Sequence, residues 1–494
     1  MGWWRSYASD ERFSSSTLTV SIGIFKVLWL LWVIKKQRKA VVPPLPPSPR
    51  GLPIVGYLPF IATELHTKFE QLGGIYGPIY KIWLANKFCI VISSPSLVKE
   101  VVRDHDAIFA NRDATKAALA ITSGGVDIVF SPNGPNWRML RKMFVREMLS
   151  LANLDSTFAL RREEVRNTII NLAFVTSMNT IMKLLSGSTL QGEEGAKLGD
   201  EFRHMFSDLM LLLGKLKVSD LFPTLASFDL QGIVREVKIK SLAKAKEEGK
   251  PKTGQKDFLQ ILLEIWEKDK GANLISMTQL KVVLLDIVVA ASDTTTTMSE
   301  WVMARLMKHS ETMRKVHEEL TEIVGMDNLV EESHLPKLHY LDAVIKETLR
   351  LRPPIPFLIP CTPSESSIIG GYHVPKGSRI FVNVWAIQRN PNYWDNPLEF
   401  KPKRFLNDGY GRFAYLGNNF KYFPFGLGRR ICAGITLGDK TLKYILASIL
   451  HSFEWKFPRG SKIDVSDTFG IITKKKNPTI AIPTPRLSKF ELYT

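Results

Sequence analysis

Residues 423–434 read FPFGLGRRICAG and set one cysteine, Cys432, four residues after Gly428 and two before Gly434, with Phe425 and Arg430 at fixed offsets. This grouping suits a single axial thiolate beneath a flat metal macrocycle. A ligating sulfur must be deprotonated, must approach the metal closely and must be shielded from water. Gly428 and Gly434 remove side chains where the backbone has to turn under the ring. Phe425 can cover the sulfur, and Arg430 can donate to an acidic substituent of the macrocycle. The residues after Cys432, ITLGDKTLKYILASILHSF, have the spacing of an amphipathic helix. Cys432 is therefore expected at a helix N-terminus, where the dipole favours the thiolate. A merely structural cysteine in a glycine-rich loop would leave these constrained positions unexplained.

Three further groupings carry chemistry only in context. SDTTTT, residues 292–297, puts six polar side chains in the middle of an otherwise apolar helical pattern. Four of them are β-branched, a poor choice for a buried helix interior unless their hydroxyls bond back to the i−4 carbonyl. KETLR places Glu347 and Arg350 three apart, on its own an ordinary surface pair worth a few tenths of a kcal/mol. WRMLR places Trp137 and Arg141 on one helix face, which any amphipathic helix could do.

The elements that must position these residues are mostly helical. Ser276 and Gln279 form a capping-box pattern at the start of a helix predicted from Met277 to His309, about 50 Å long. Its first half, LKVVLLDIVVAA, reads as apolar nearly all round and hence buried. Residues 80–84 and 88–92 read as a short hairpin. Helical patterns dominate from 95 to 352, and short strands return between 368 and 384, with turn signals at Gly370-Gly371 and Pro375-Lys376-Gly377.

Residues 17–34 are nearly all apolar and long enough to cross a bilayer, although Lys26 within them costs about 3 kcal/mol on insertion scales. KKQRK follows at 35–39, then PPLPPSPRGLP at 43–53, a stiff proline hinge. The basic flank places the C-terminal body on the cytoplasmic side. This divides the chain into a lumenal segment (1–16), a transmembrane anchor (17–34), a basic, Pro-rich hinge (35–53) and one catalytic domain (54–494). The chain has 494 residues, 45% of them hydrophobic, a net charge of +18 and three cysteines, Cys89, Cys361 and Cys432. An odd, scattered set of cysteines argues against a disulfide framework. The basic residues are dispersed and no nucleic-acid motif accompanies them, so the charge fits an anionic membrane or an acidic redox partner better than a nucleic acid.

The cysteine loop resembles the FxxGxRxCxG signature of the cytochrome P450 superfamily at every fixed position. The resemblance implies a mainly α fold with small β-sheets, the P450 triangular prism, and haem b held by Cys432. It implies Phe425, Gly428, Arg430 and Gly434 around the haem, with Trp137 and Arg141 donating to a propionate. AASDTT at 290–295 resembles the oxygen-groove motif and implies Asp293 and Thr294 as an acid–alcohol pair that delivers protons to bound dioxygen. Glu347, Arg350 and Arg404, the last within FKPKRF, resemble the structural triad that pins the cysteine loop. Three positions depart from the pattern: Ala291 stands where glycine is usual, Lys403 where glutamate is common, and Cys361 where related plant enzymes often carry a propionate-binding arginine. Lys403 is expected to loosen the triad.

The phrases GPIYKIWLANK, PKLHYLDAVIKETLRL and VPKGSRIFVNVWAIQRNP look like a plant microsomal P450 of the A-type, nearest to sesquiterpene hydroxylases and related aromatic hydroxylases. Two stretches, 168–172 and 238–242, look about a helical turn short against that pattern. The resemblance implies a haem-thiolate monooxygenase acting with O2 on a small, largely apolar plant metabolite, terpenoid or flavonoid-like. Electrons would come from NADPH through cytochrome P450 reductase, docked on Arg138, Lys142, Lys421, Arg429 and Lys440. The enzyme would sit in the endoplasmic reticulum membrane, with lipid around its single span and its catalytic domain in the cytosol. Substrate contacts are expected from residues 114–130, 202–213, 285–294, 355–360 and 469–472. The competing readings are a haem-thiolate hydroperoxide isomerase or dehydratase, and a catalytically impaired haem-binding protein.

Overall fold

A computed structural model describes residues 23, 27, 43–61, 64–168, 218–221, 258–268, 275–406, 413–416, 419–458, 460 and 464–493. Apart from residues 23 and 27, the expected anchor lies outside this set. So do the stretch 202–213, residues 238–242, and 169–172 of the other short-looking stretch. The helices that frame the site are α1 (Leu65–Tyr76), α2 (Pro135–Met143), α3 (Phe258–Lys268), α4 (Met277–Lys308), α5 (Ser310–Val324), α6 (His339–Leu351) and α7 (Ile435–Ser452).

α4 begins as predicted. The Ser276 hydroxyl accepts from Gln279 N–H at 3.2 Å, and the Gln279 side chain accepts from Ser276 N–H at 2.8 Å. It ends one residue early, with His309 as its C-cap. Its apolar first half buries Leu280, Val282, Val283, Ile287 and Val288 as expected. The second half is the better enclosed, with Ser292, Asp293, Thr295, Thr297, Ser299 and Trp301 all buried. In the first half Leu285, Val289 and Ala290 are open to a cavity. Thr294, Thr296 and Ser299 each donate to the carbonyl four residues back. α4 packs on α7 through Met298, Val302 and Leu306 against Leu442, Ile445 and Leu446.

The main sheet has the order β1-β2-β7-β4-β3: β1 (Ile79–Leu84), β2 (Lys87–Ile92), β3 (Asn111–Arg112), β4 (Cys361–Thr362) and β7 (Arg379–Val382). β1 and β2 form the predicted hairpin, and β7 joins β2 in parallel, with Cys89 opposite Arg379. β5 (Ser367–Ile369) and β6 (Tyr372–Val374) form a separate hairpin around Gly370 and Gly371, both at positive φ. The strand pattern does not continue to Val384. Asn383 caps a single helical turn there, Val384–Ile387, its side chain accepting from Ala386 N–H at 3.0 Å.

The predicted triad is assembled. Glu347 and Arg350 are fully buried on α6 and paired through two bonds of 2.7 and 2.8 Å, and Arg404 Nε reaches Glu347 at 3.2 Å. The spare Arg350 donors go to the Gln388 and Pro397 carbonyls, both at 2.7 Å. Lys403 does not loosen this network, because its side chain is exposed. The link onward to the cysteine loop comes from residues the sequence reading passed over. Gln388 accepts from Phe423 N–H at 3.2 Å, and the Tyr422 hydroxyl donates to the Lys346 carbonyl at 3.1 Å.

Candidate active site

Cys432 and the middle of α4 open into one cavity of about 390 Å³. Phe425, Gly426, Arg430, Cys432 and Gly434 line it on the loop side, and Leu285, Asp286, Val289, Ala290, Ala291 and Thr294 on the α4 side. Cys432 has accessible surface, and that surface faces this cavity. The loop is held by Cys432 N–H donating to the Phe425 carbonyl at 2.9 Å. Gly428 is required in fact: its φ is +67°, and a Cβ would lie 2.6 Å from the Val102 carbonyl. Gly434 is under no such constraint, since a Cβ there would meet the Cys432 sulfur at an ordinary 4.0 Å. The second left-handed glycine is Gly426, at φ +77°.

α7 begins at Ile435 with Gly434 as its N-cap, which puts Cys432 just ahead of the helix as expected. In the protein alone, however, burial pushes the Cys432 thiol up, and the Gly434 N–H and the Arg141 guanidinium offset this only in part. A bound metal cation beside the sulfur would favour the thiolate.

Three guanidiniums crowd the same cavity. Arg430 donates to the carbonyls of Ala110 (2.7 Å), Ile128 (3.3 Å) and Ser131 (2.5 Å), and lies 4.0 Å above the Trp137 ring. Arg141 donates to the Ile431 carbonyl at 2.6 Å, and Arg112 to the Ile359 carbonyl at 2.5 Å. Burial and mutual repulsion lower Arg430 to about 9 and Arg112 to about 10. Among the described residues no carboxylate reaches ion-pair distance of any of the three, and buried Arg112 Nε has no partner. Buried cations without counter-charges are costly, and a ligand bearing two carboxylates would relieve them. Haem b fits both this charge and the single axial sulfur.

Arg112 was missed because nothing in its local sequence marks it. It becomes visible through the β3–β4 pairing, which sets it opposite Cys361. The cation that appeared lost at Cys361 is thus supplied from the neighbouring strand. The Trp137 indole N–H donates to the Ile128 carbonyl at 3.0 Å, and its ring lies under the Arg430 guanidinium.

The acid–alcohol pair is divided between two faces of α4. Thr294 lines the cavity, with its hydroxyl hydrogen given to the Ala290 carbonyl at 2.6 Å, so the oxygen lone pairs remain to accept. Asp293 is buried behind it and is bound by Lys474, in the short strand Lys474–Lys475, at 2.6 Å. Burial raises the Asp293 carboxyl above its ordinary value, and Lys474 pulls it partly back.

Of the cations expected on the proximal surface, Arg138, Lys142, Lys421 and Arg429 are exposed, Arg429 beside Asp106 at 2.9 Å. Lys440 is half-buried and tied to Asp155 at 3.3 Å.

The family model described as Cytochrome P450 matches residues 46–482. A flavonoid 3'-monooxygenase of Crocosmia x crocosmiiflora is 36% identical, over 93% of this chain and 96% of its own length. A 3,9-dihydroxypterocarpan 6A-monooxygenase of Glycine max is 33% identical, over 94% and 96%. A zebra fish cytochrome P450 structure with progesterone superposes with a TM-score of 0.72 at 26% identity, covering 85% of this chain and 99% of that one.

Proposed function

The chain belongs to the cytochrome P450 family, and on that footing we propose that it is a haem-thiolate monooxygenase that inserts one oxygen atom from O2 into a flavonoid-like or similarly small, largely apolar plant metabolite. The observation that carries this reading is the single cavity shared by Cys432, the three arginines and Thr294. Haem b, when bound, supplies oxygen activation, which thiolate ligation favours.

The protein's part is to hold and to protonate. Cys432 would hold the haem iron through its sulfur, and the bond from Cys432 N–H to the Phe425 carbonyl fixes the backbone that carries it. Arg112, Arg141 and Arg430 would take the two haem carboxylates. Thr294 offers an acceptor at the cavity wall, while Asp293 and Lys474 behind it hold a proton in reserve. Leu285, Val289, Ile355 and Ile472 exclude water and receive the substrate. An assembled triad and the presence of Arg112 in the cavity support an active enzyme over an impaired haem protein.

The anchor at 17–34, a single-pass place in the endoplasmic reticulum membrane, and electron supply by NADPH–cytochrome P450 reductase belong to the same proposal. Exposed Leu52 in the hinge, Ile54 and Phe60 just beyond it, and Trp83 on β1 support membrane contact.

The test is a reduced carbon-monoxide difference spectrum of the protein in microsomes, followed by turnover with NADPH, reductase and a panel of flavonoids and terpenes. The native chain should give the red-shifted thiolate band and a hydroxylated product. Cys432→His should abolish the band, whereas Cys89→Ser and Cys361→Ser should keep it. A thiolate band that survives Cys432→His would sink the assignment.

A further inference from the structure

The cavity wall carries an acid that proton delivery and haem binding leave unused. Asp286 lies on α4 among Leu285, Val289 and Ala290, is partly exposed, and lines the cavity. Of the two acids in that lining, Asp106 is ion-paired to Arg429 at 2.9 Å, and Asp286 has no cation at ion-pair distance among the described residues. Its Oδ2 accepts from the Ile128 N–H at 2.9 Å, which ties α4 to the loop carrying Ile128 and Phe130. Asp127, fully buried in that loop, accepts from Phe130 N–H at 2.9 Å, and its second oxygen has no partner.

Fastening the loop takes the Ile128 and Val129 N–H groups, which an amide oxygen could accept as well. A polar side chain set into an otherwise apolar wall does more. Against a hydrocarbon it would be a desolvated polar group, and against a hydroxyl it would be satisfied. We propose that Asp286 is a specificity-determining residue that hydrogen-bonds a hydroxyl group of the substrate, about 12 Å along α4 from Thr294.

The cavity strip from Asp286 through Val289 and Ala290 to Thr294 is continuous, so one elongated molecule can touch both ends. Burial and the neighbouring Asp127 raise the Asp286 carboxyl well above its ordinary value, which selects a neutral hydroxylated ligand over a cation. The inference rests on the haem-monooxygenase reading and deepens it to phenols or alcohols carrying an oxygen remote from the oxidised carbon. A site built to hydrogen-bond a hydroxyl rejects the analogue lacking it more strongly than an apolar pocket rejects a missing methylene.

The test uses N-alkylimidazoles, whose nitrogen coordinates haem iron and shifts its spectrum whatever the natural substrate. Chains of graded length bracketing about 12 Å are compared with hydroxyl, methyl or amino termini. Asp286→Leu should weaken the hydroxyl probe of matching length at least tenfold and leave the methyl probe unchanged or tighter. Asp286→Asn, which keeps an acceptor for Ile128, should stay within about threefold of the native protein. In the native protein the hydroxyl probes should show an affinity optimum at one length that the methyl probes lack. That readout decides the matter even where Asp286→Leu fails to load haem. Equal loss for both probes, no length optimum, or tighter binding of the amino probe would overturn the proposal. No spectral shift with any imidazole would overturn the haem reading itself, and the proposal with it.

Discussion

Replacing Lys474 by methionine should destabilise the protein at alkaline pH and scarcely at all at acid pH. Lys474 is the cation within reach of buried Asp293, at 2.6 Å, and the second Asp293 oxygen has no partner. Burial raises this carboxyl and Lys474 partly counters the rise, so methionine leaves the first effect unopposed. Each further unit of upward shift is worth about 1.4 kcal/mol. Leaving a buried charge unpaired costs about 3–5 kcal/mol, and protonation of the carboxyl caps that loss. We therefore expect roughly 2–3 kcal/mol at pH 8.

The sign follows from proton linkage. A carboxyl raised in the folded state binds more protons there than in the unfolded chain. Stability therefore falls as pH rises from the ordinary carboxylate range through the raised folded value. The variant extends that window upward, and below the native folded value the two proteins converge. The assay is the urea midpoint for loss of the reduced carbonyl band, measured at pH 5 and pH 8 in native and Lys474→Met protein. A deficit of equal size at both pH values would show that Lys474 acts by packing rather than by charge, and would refute the argument. Product formed per NADPH should also hold to higher pH in the variant, because Asp293 keeps its proton longer.

Glu347→Gln leaves Arg350 and Arg404 buried without their counter-charge, which should cost about 3–5 kcal/mol and convert most of the carbonyl band to the non-thiolate form; an unchanged spectrum and urea midpoint would contradict the buried network. Arg112→Met should speed haem loss to apomyoglobin at least tenfold while leaving the haem-free protein as stable as before or more so, because it removes a repelled, partly unsatisfied cation. Unaltered haem retention would show that Arg112 is not a propionate partner. Ala291 lines the cavity on a helix that stays α-helical from Met277 to Lys308. Ala291→Gly should therefore widen the groove and raise product per NADPH at constant haem content, and equal coupling in the two proteins would dismiss the idea.

The sequence by itself determined the elements whose causes are local. The cysteine loop, the capping box of Ser276 and Gln279, the β1–β2 hairpin and the Glu347–Arg350 spacing depend on residues close together in the chain. Their sequence patterns therefore carry the whole signal. Tertiary structure decided whatever depends on which segments meet. Arg112 joins the cluster of buried cations because β3 pairs with β4, and Gln388 ties the triad to the cysteine loop through Phe423. Lys474 reaches Asp293 across 181 residues of chain, and Asp286 becomes a cavity acid only where α4 meets the Ile128 loop. The thiol of Cys432 shows the same division. The helix dipole that favours its thiolate is legible in the sequence, but the burial that pushes the thiol up depends on every segment packed around the sulfur.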